Sequence, residues 1–218
     1  MPDRLARYAA LGGALAALLW IVSLFVLEGG GNPADPDAAS EVVEHFRDHQ
    51  TAILVAGLLQ GLGVFAFLWF LAALREGLQA VADAGRWLVS AALIGGIASG
   101  TMLLGMYGPQ TTGATTDEEL LNPGSAVAFW RLSHTFFVAA EIAFAVLAAA
   151  VGLLALRYGA FPRWLGWASL VLALLLLIVP LGWIALLFLV PLWLIAMSVL
   201  LFMRLGPGRG GSRAVAAA

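Results

Sequence analysis

The chain contains no cysteine and no lysine, and only 11% of its 218 residues are charged. Without cysteine there is no disulfide, no thiolate metal ligand, no cysteine nucleophile and no covalent haem attachment. Without lysine there is no Schiff base, and no phosphate-binding loop that ends in lysine. All 11 basic residues are arginine, and no cluster of them interleaved with aromatics suggests nucleic acid, so no nucleic-acid partner is expected. Soluble domains carry about a quarter charged residues. Here 62% of residues are hydrophobic, and the mean hydropathy is +0.96. A water-soluble fold of this length could not bury so much apolar surface, so the bilayer is the expected solvent and partner.

Runs of about twenty apolar residues cross a roughly 30 Å hydrocarbon core. The sequence predicts an all-α, polytopic membrane bundle of about six transmembrane helices, near 8–27, 52–74, 87–107, 126–156, 163–179 and 183–203. These form one domain over 1–205, followed by a Gly- and Ala-rich flexible tail over 206–218. Arg4 and Arg7 before the first apolar run could mimic a signal peptide. The run is too long for one and ends in Glu28-Gly29-Gly30-Gly31, so an uncleaved first span is expected. Trp164–Met203 is almost unbroken, and Pro180 with Gly182 supplies the expected break. Pro191 is expected to kink the last span.

Arginine sets the expected orientation. Nine of the 11 (Arg4, Arg7, Arg75, Arg86, Arg157, Arg163, Arg204, Arg209 and Arg213) fall on one side of six spans, leaving Arg47 and Arg131 on the other. The positive-inside rule makes the Arg-rich side cytoplasmic, with both termini there and the chain in the cell membrane. The opposite segments carry Glu28, Asp35, Asp37, Glu41, Glu44, Asp48, Asp117, Glu118 and Glu119. Asp35-Pro36 reads as a helix start, for a helix running to about Gln50 with Val42, Val43 and Phe46 on one face. Thr116-Asp117-Glu118-Glu119 fits a capping box opening a short helix, and Ser125 is placed to cap the fourth span.

The junction Arg157-Tyr158-Gly159-Ala160-Phe161-Pro162-Arg163-Trp164-Leu165-Gly166-Trp167 follows a span rich in small residues. It resembles the F-P-R-W-L-G-W-type connection of a bacterial, often actinobacterial, family of six-helix integral membrane proteins of unknown function. The match covers roughly the fourth and fifth spans. It implies a six-helix bundle and brings no activity with it.

Few polar residues interrupt the spans, and each is a candidate. Glu141 is the only acidic residue deep in an apolar run, which makes it a functional-site hypothesis. Counted along their helices, Ser23, Gln60, Ser99, Thr101 and Glu141 fall in one layer, roughly 18–22 Å from the Arg-rich edge. Arg131, His134, Val138 and Glu141 follow spacings of 3, 4 and 3 and share a helix face, which Ala145, Ala148 and Gly152 continue. The expected site is an outward-facing polar pocket around Glu141, with His134, Arg131, Gln60 and Thr101, binding or transporting a small ligand or ion. The plainer alternative is a structural network in which Glu141 pairs with Gln60 or a hydroxyl.

Two further functions remain open. His45 and His49, one turn apart, have a spacing that can hold zinc, and with outer-face carboxylates they admit a membrane-embedded hydrolase. The H-E-x-x-H arrangement is missing, and no cofactor is expected if this face is merely solvated. Alternatively, the chain is a non-catalytic subunit, packed against a membrane-protein partner or a second copy of itself. Small residues four apart (Gly13/Ala17, Gly57/Gly61, Gly95/Ser99, Gly96/Gly100) are expected to serve close packing inside the bundle. A Ser99–His134 dyad is excluded by depth, since the two differ by roughly 15 Å along the membrane normal.

Overall fold

A computed structural model describes residues 4–28, 33, 38–78, 82–117 and 119–206. All regular structure among them is helical: α1 Arg4–Ala9, α2 Gly12–Glu28, α3 Ala39–Asp48, α4 Gln50–Leu78, α5 Ala82–Thr115, α6 Pro123–Tyr158, α7 Arg163–Leu177, α8 Val179–Ile184 and α9 Val190–Arg204. One π-helical turn, Ala185–Leu189, joins α8 to α9. Among the described residues five helical stretches are long and apolar enough to cross a membrane: Arg4–Val26, Gln50–Leu78, Gly85–Thr115, Pro123–Tyr158 and Pro180–Arg204. The remaining expected span is the shorter apolar helix α7, 15 residues long, or about 22 Å.

Aromatic rings fill the centre of the bundle. Phe67 stacks on Phe70 and on Phe144, each at 6.1 Å between centroids, and Phe144 meets Trp193 edge-on at 5.6 Å. Small residues let helices close in around them. A Cβ on Gly95 of α5 would stand 2.7 Å from the Leu147 amide nitrogen and 2.8 Å from the Ala143 carbonyl of α6. A Cβ on Gly152 of α6 would meet the Gly166 carbonyl of α7 at 2.9 Å. The expected small-residue packing is therefore intramolecular at Gly13, Gly57, Gly95, Gly96 and Gly100, whereas Gly61 meets nothing within 4 Å.

The arginine-bearing ends gather at one pole. Arg7 lies 4.1 Å over the Phe202 ring, and Arg204 donates to the Ala160 carbonyl beside Phe161. Gly85, beside Arg86, packs against Leu154 and Tyr158 at the end of α6. Helix α6 stops at Gly159, whose φ of 67° is left-handed and suits glycine. α7 and α9 run antiparallel: the Trp193 indole donates to the Ser169 hydroxyl at 2.8 Å, while Arg204 reaches back to the α6–α7 junction.

Several boundaries differ from expectation. The break between α7 and α8 falls at Ile178, which is extended (φ −91°, ψ 98°). Pro180 lies in the first turn of α8, where its missing N–H has no intrahelical partner to lose. Before Pro191 the chain forms the π turn, so the missing donor is absorbed by a widened turn. Helix α5 does not end near 107; it continues through Pro109 to Thr115. Beyond it the capping-box helix does not form: Asp117 closes a single turn with Leu120 and Leu121, and the Thr116 hydroxyl bonds back to Thr112. Glu118 lies outside the described residues. The cap of α6 is Asn122, whose side chain accepts from the Ser125 amide at 2.9 Å with Pro123 behind it, so Ser125 receives the cap instead of supplying it. Asp35-Pro36, Gly29-Gly30-Gly31 and the tail beyond 206 lie outside the described residues; α3 begins at Ala39, after Ala38.

Candidate ligand-binding cavity

At the pole opposite the arginine cluster, the helices part around a cavity of about 310 Å³, within the range of small-molecule sites. Helix α2 contributes Trp20 and Leu24, and α4 contributes Gln60. From α5 come Leu103, Met106, Tyr107 and Gln110, which follow a 3–4 spacing along one face. Trp130, Ser133, His134 and Phe137 of α6 form the opposite wall. Trp183, Leu186, Leu187 and Pro191, spanning α8, the π turn and α9, close the remaining side.

The polar groups of this wall differ in their state. Gln110 donates to the Ser133 hydroxyl at 2.8 Å, tying α5 to α6. The Tyr107 hydroxyl lies 3.2 Å from that of Ser23, which donates to the Ala56 carbonyl at 2.9 Å. Gln60 is 5% exposed and has no hydrogen bond to any described residue. The Trp20 indole N–H is buried and likewise lacks an acceptor. It rests in the notch left by Gly63, where any side chain would collide with the indole. An amide and an N–H that the protein leaves unsatisfied at a cavity wall are groups a ligand can satisfy.

The expected site residues separate on this frame. Gln60 and His134 line the cavity; Arg131, Thr101 and Glu141 do not. Thr101 is exposed, and its hydroxyl bonds the Ile97 carbonyl of its own helix. The physical reason is rotation: two residues from Ser99 is about 200° around a helix, and Ser99 is the one turned inward, donating to the Ala140 carbonyl at 3.1 Å. Of the expected polar layer, the Ser23, Ser99 and Thr101 hydroxyls each bond a backbone carbonyl, whereas Gln60 and Glu141 bond no described residue. Arg131 is exposed; the buried stripe at this end of α6 runs through Ala126, Ser133 and Ala140 instead. Glu141 is 3% exposed, hence interior as expected. Its carboxylate lies against Gly182 of α8, and it has no hydrogen bond or ion pair to a described residue. Along α6 it is one turn below Phe137, and Gly182 adjoins Trp183, so Glu141 sits behind the cavity floor.

His45 is buried and its ring meets Trp130 edge-on at 5.4 Å. His49 lies 5.0 Å from it, but its Nδ1 is 3.2 Å from the His45 carbonyl. Among the described residues no group of three or more His, Asp or Glu is placed to hold a metal. Burial, and secondly the proximity of His49, push the His45 imidazole below its ordinary value of 6.5. Phe46 and Val42 dock α3 on the ends of α5 and α6, where a Cβ on Gly113 would touch the Phe46 ring at 2.8 Å.

Tyr107, Gln110, Ser133 and the three tryptophans escaped the sequence reading. The 103, 107, 110 spacing was the available signal for the first two. No protein-family model, curated protein or solved structure matches the chain. Fold and cavity define the class: a multi-pass helical membrane protein.

Proposed function

We propose that this protein binds a small amphiphilic molecule in the cavity between α2, α4, α5, α6 and α8. The carrying observation is Gln60, set in an apolar helix at the cavity wall with no hydrogen bond from its amide to any described residue. An amide open to the cavity is a group that a ligand head group can pair with. The aromatic and aliphatic remainder of the wall suits an apolar body. The Arg-rich pole faces the cytoplasm in this reading, so the cavity lies toward the exterior. The junction at Phe161-Pro162-Arg163-Trp164 supports membership in the six-helix family of unknown function, with α7 as the sixth crossing.

The test uses the tryptophans of the wall. A bromine-bearing phenylalkyl alcohol, titrated into protein in nanodiscs, should quench part of the tryptophan emission saturably. Leu187→Phe, which fills the cavity, should abolish the saturable phase. Linear quenching, identical in both proteins, would refute the reading.

A further inference from the structure

We propose that the ligand of this cavity is a lipophilic organic cation, an ammonium carrying an apolar group, with Glu141 as its counter-charge beneath the floor. The inference rests on the cavity reading and specifies its ligand. Three observations carry it. First, five of the lining residues are aromatic: Trp20, Tyr107, Trp130, Phe137 and Trp183. They come from four different helices. A ring face attracts a cation through its quadrupole, tryptophan best of all, and several faces around one space form the arrangement that receives quaternary ammonium groups.

Second, the wall holds no arginine and no carboxylate, and His134 is its one titratable group besides Tyr107. No fixed positive charge of the lining opposes a cation. An anionic ligand would find no guanidinium in the lining to pair with it.

Third, Glu141 is buried, unpartnered among the described residues, and directly behind this wall. Its carboxylate touches Gly182, next to Trp183, and its helix rises only about 6 Å from Glu141 to Phe137. In a low-dielectric bundle a carboxylate acts on a neighbouring charge more strongly than it would in water. Glu141 and a bound cation would each offset the other's desolvation. The surrounding sequence has the same sign: the segments expected at this pole carry nine acidic residues against Arg47 and Arg131, a balance that concentrates cations near the entrance.

The experiment compares two probes of equal shape on the full chain in nanodiscs. One is 3-phenylpropyl-trimethylammonium; the other replaces nitrogen by carbon and is neutral. Saturable tryptophan quenching or enhancement, with displacement of the brominated alcohol, reads each Kd. The cation should bind about tenfold tighter than its isostere. Glu141→Gln should remove most of that preference, read as the ratio of the two Kd values within the one protein, and Trp183→Leu should reduce it independently. Equal affinities for both probes in the wild-type protein, each displaced by the alcohol, would overturn the cation inference and leave the cavity reading standing. Failure of every probe to saturate would overturn both. A Glu141→Gln protein that folds and keeps the full preference would remove Glu141 from the site.

Discussion

The carboxylate of Glu141 occupies the space that a side chain at Gly182 would need: a Cβ there would stand 2.7 Å from Oε2 and 2.9 Å from Cδ. The acidic group buried in α6 is thereby seated on α8. A side chain at position 182 would require the Glu141 carboxylate to shift.

Gly182→Ala should therefore displace the Glu141 carboxylate and destabilise the protein modestly, by up to about 1 kcal/mol, the low end for overpacking because a side-chain end can yield. The same substitution should cost less when Glu141 is replaced by Ala, because the clashing atoms are gone. Thermal unfolding of the four proteins of this cycle in detergent gives the coupling, expected at about 0.5–1 kcal/mol. Additive effects would show that the two residues do not meet.

Glycines in the same bundle should respond in opposite directions. Gly95 faces the α6 backbone, which cannot step aside. Gly95→Val should separate α5 from α6 and lower the unfolding temperature severely. Gly61 faces open space, so Gly61→Ala should be neutral or stabilising by up to about 1 kcal/mol through helix propensity. A large loss at Gly61 would indicate an interface with a second chain.

Much of this fold is legible in the sequence because two of its signals are one-dimensional. Apolar length locates the membrane helices, and arginine spacing groups Arg7, Arg204 and the α6–α7 junction at one pole, where Arg204 meets Ala160. The cavity was only partly legible because it depends on azimuth. Depth along a helix placed Thr101 beside Ser99, yet rotation sets one toward Ile97 on the outer surface and the other toward Ala140. Gln110 was lost for another reason: Pro109 was expected beyond the helix, whereas α5 continues past it and carries Gln110 to Ser133. Proline tolerates a helical position when neighbouring groups satisfy the carbonyls it orphans.

Reporter fusions address orientation. Fusions after Arg86, after Arg157 and at the C-terminus should report cytoplasm, and a fusion at Thr116 should report the exterior. A cytoplasmic signal at Thr116 would invert the proposed placement of the cavity.

Docking of α3 should depend on pH. Burial favours neutral His45 in the docked helix, so its imidazole binds a proton less readily there than when undocked. The undocked state then holds more protons, and its population grows as pH falls. Docking is fully supported above the undocked value of about 6.5 and weakens progressively below it, down through the lowered docked value. Hydrogen exchange across 39–48 should accelerate relative to α4 as the pH falls below about 6.5. His45→Phe should flatten this dependence; an unchanged profile in that variant would place the titration elsewhere.

The absence of cysteine provides the most direct test of the central claim, that an accessible cavity lies between these helices. Met106 lines it, whereas Ser99, seven residues earlier on α5, is fully buried against Ala140. In otherwise unchanged protein, Met106→Cys should react with a small water-soluble methanethiosulfonate, and Ser99→Cys should not. Adding Leu187→Phe should slow the reaction at position 106 by about tenfold or more, in keeping with loss of access to a buried thiol. Equal inertness at 106 and 99 would contradict the cavity, and with it the proposed function.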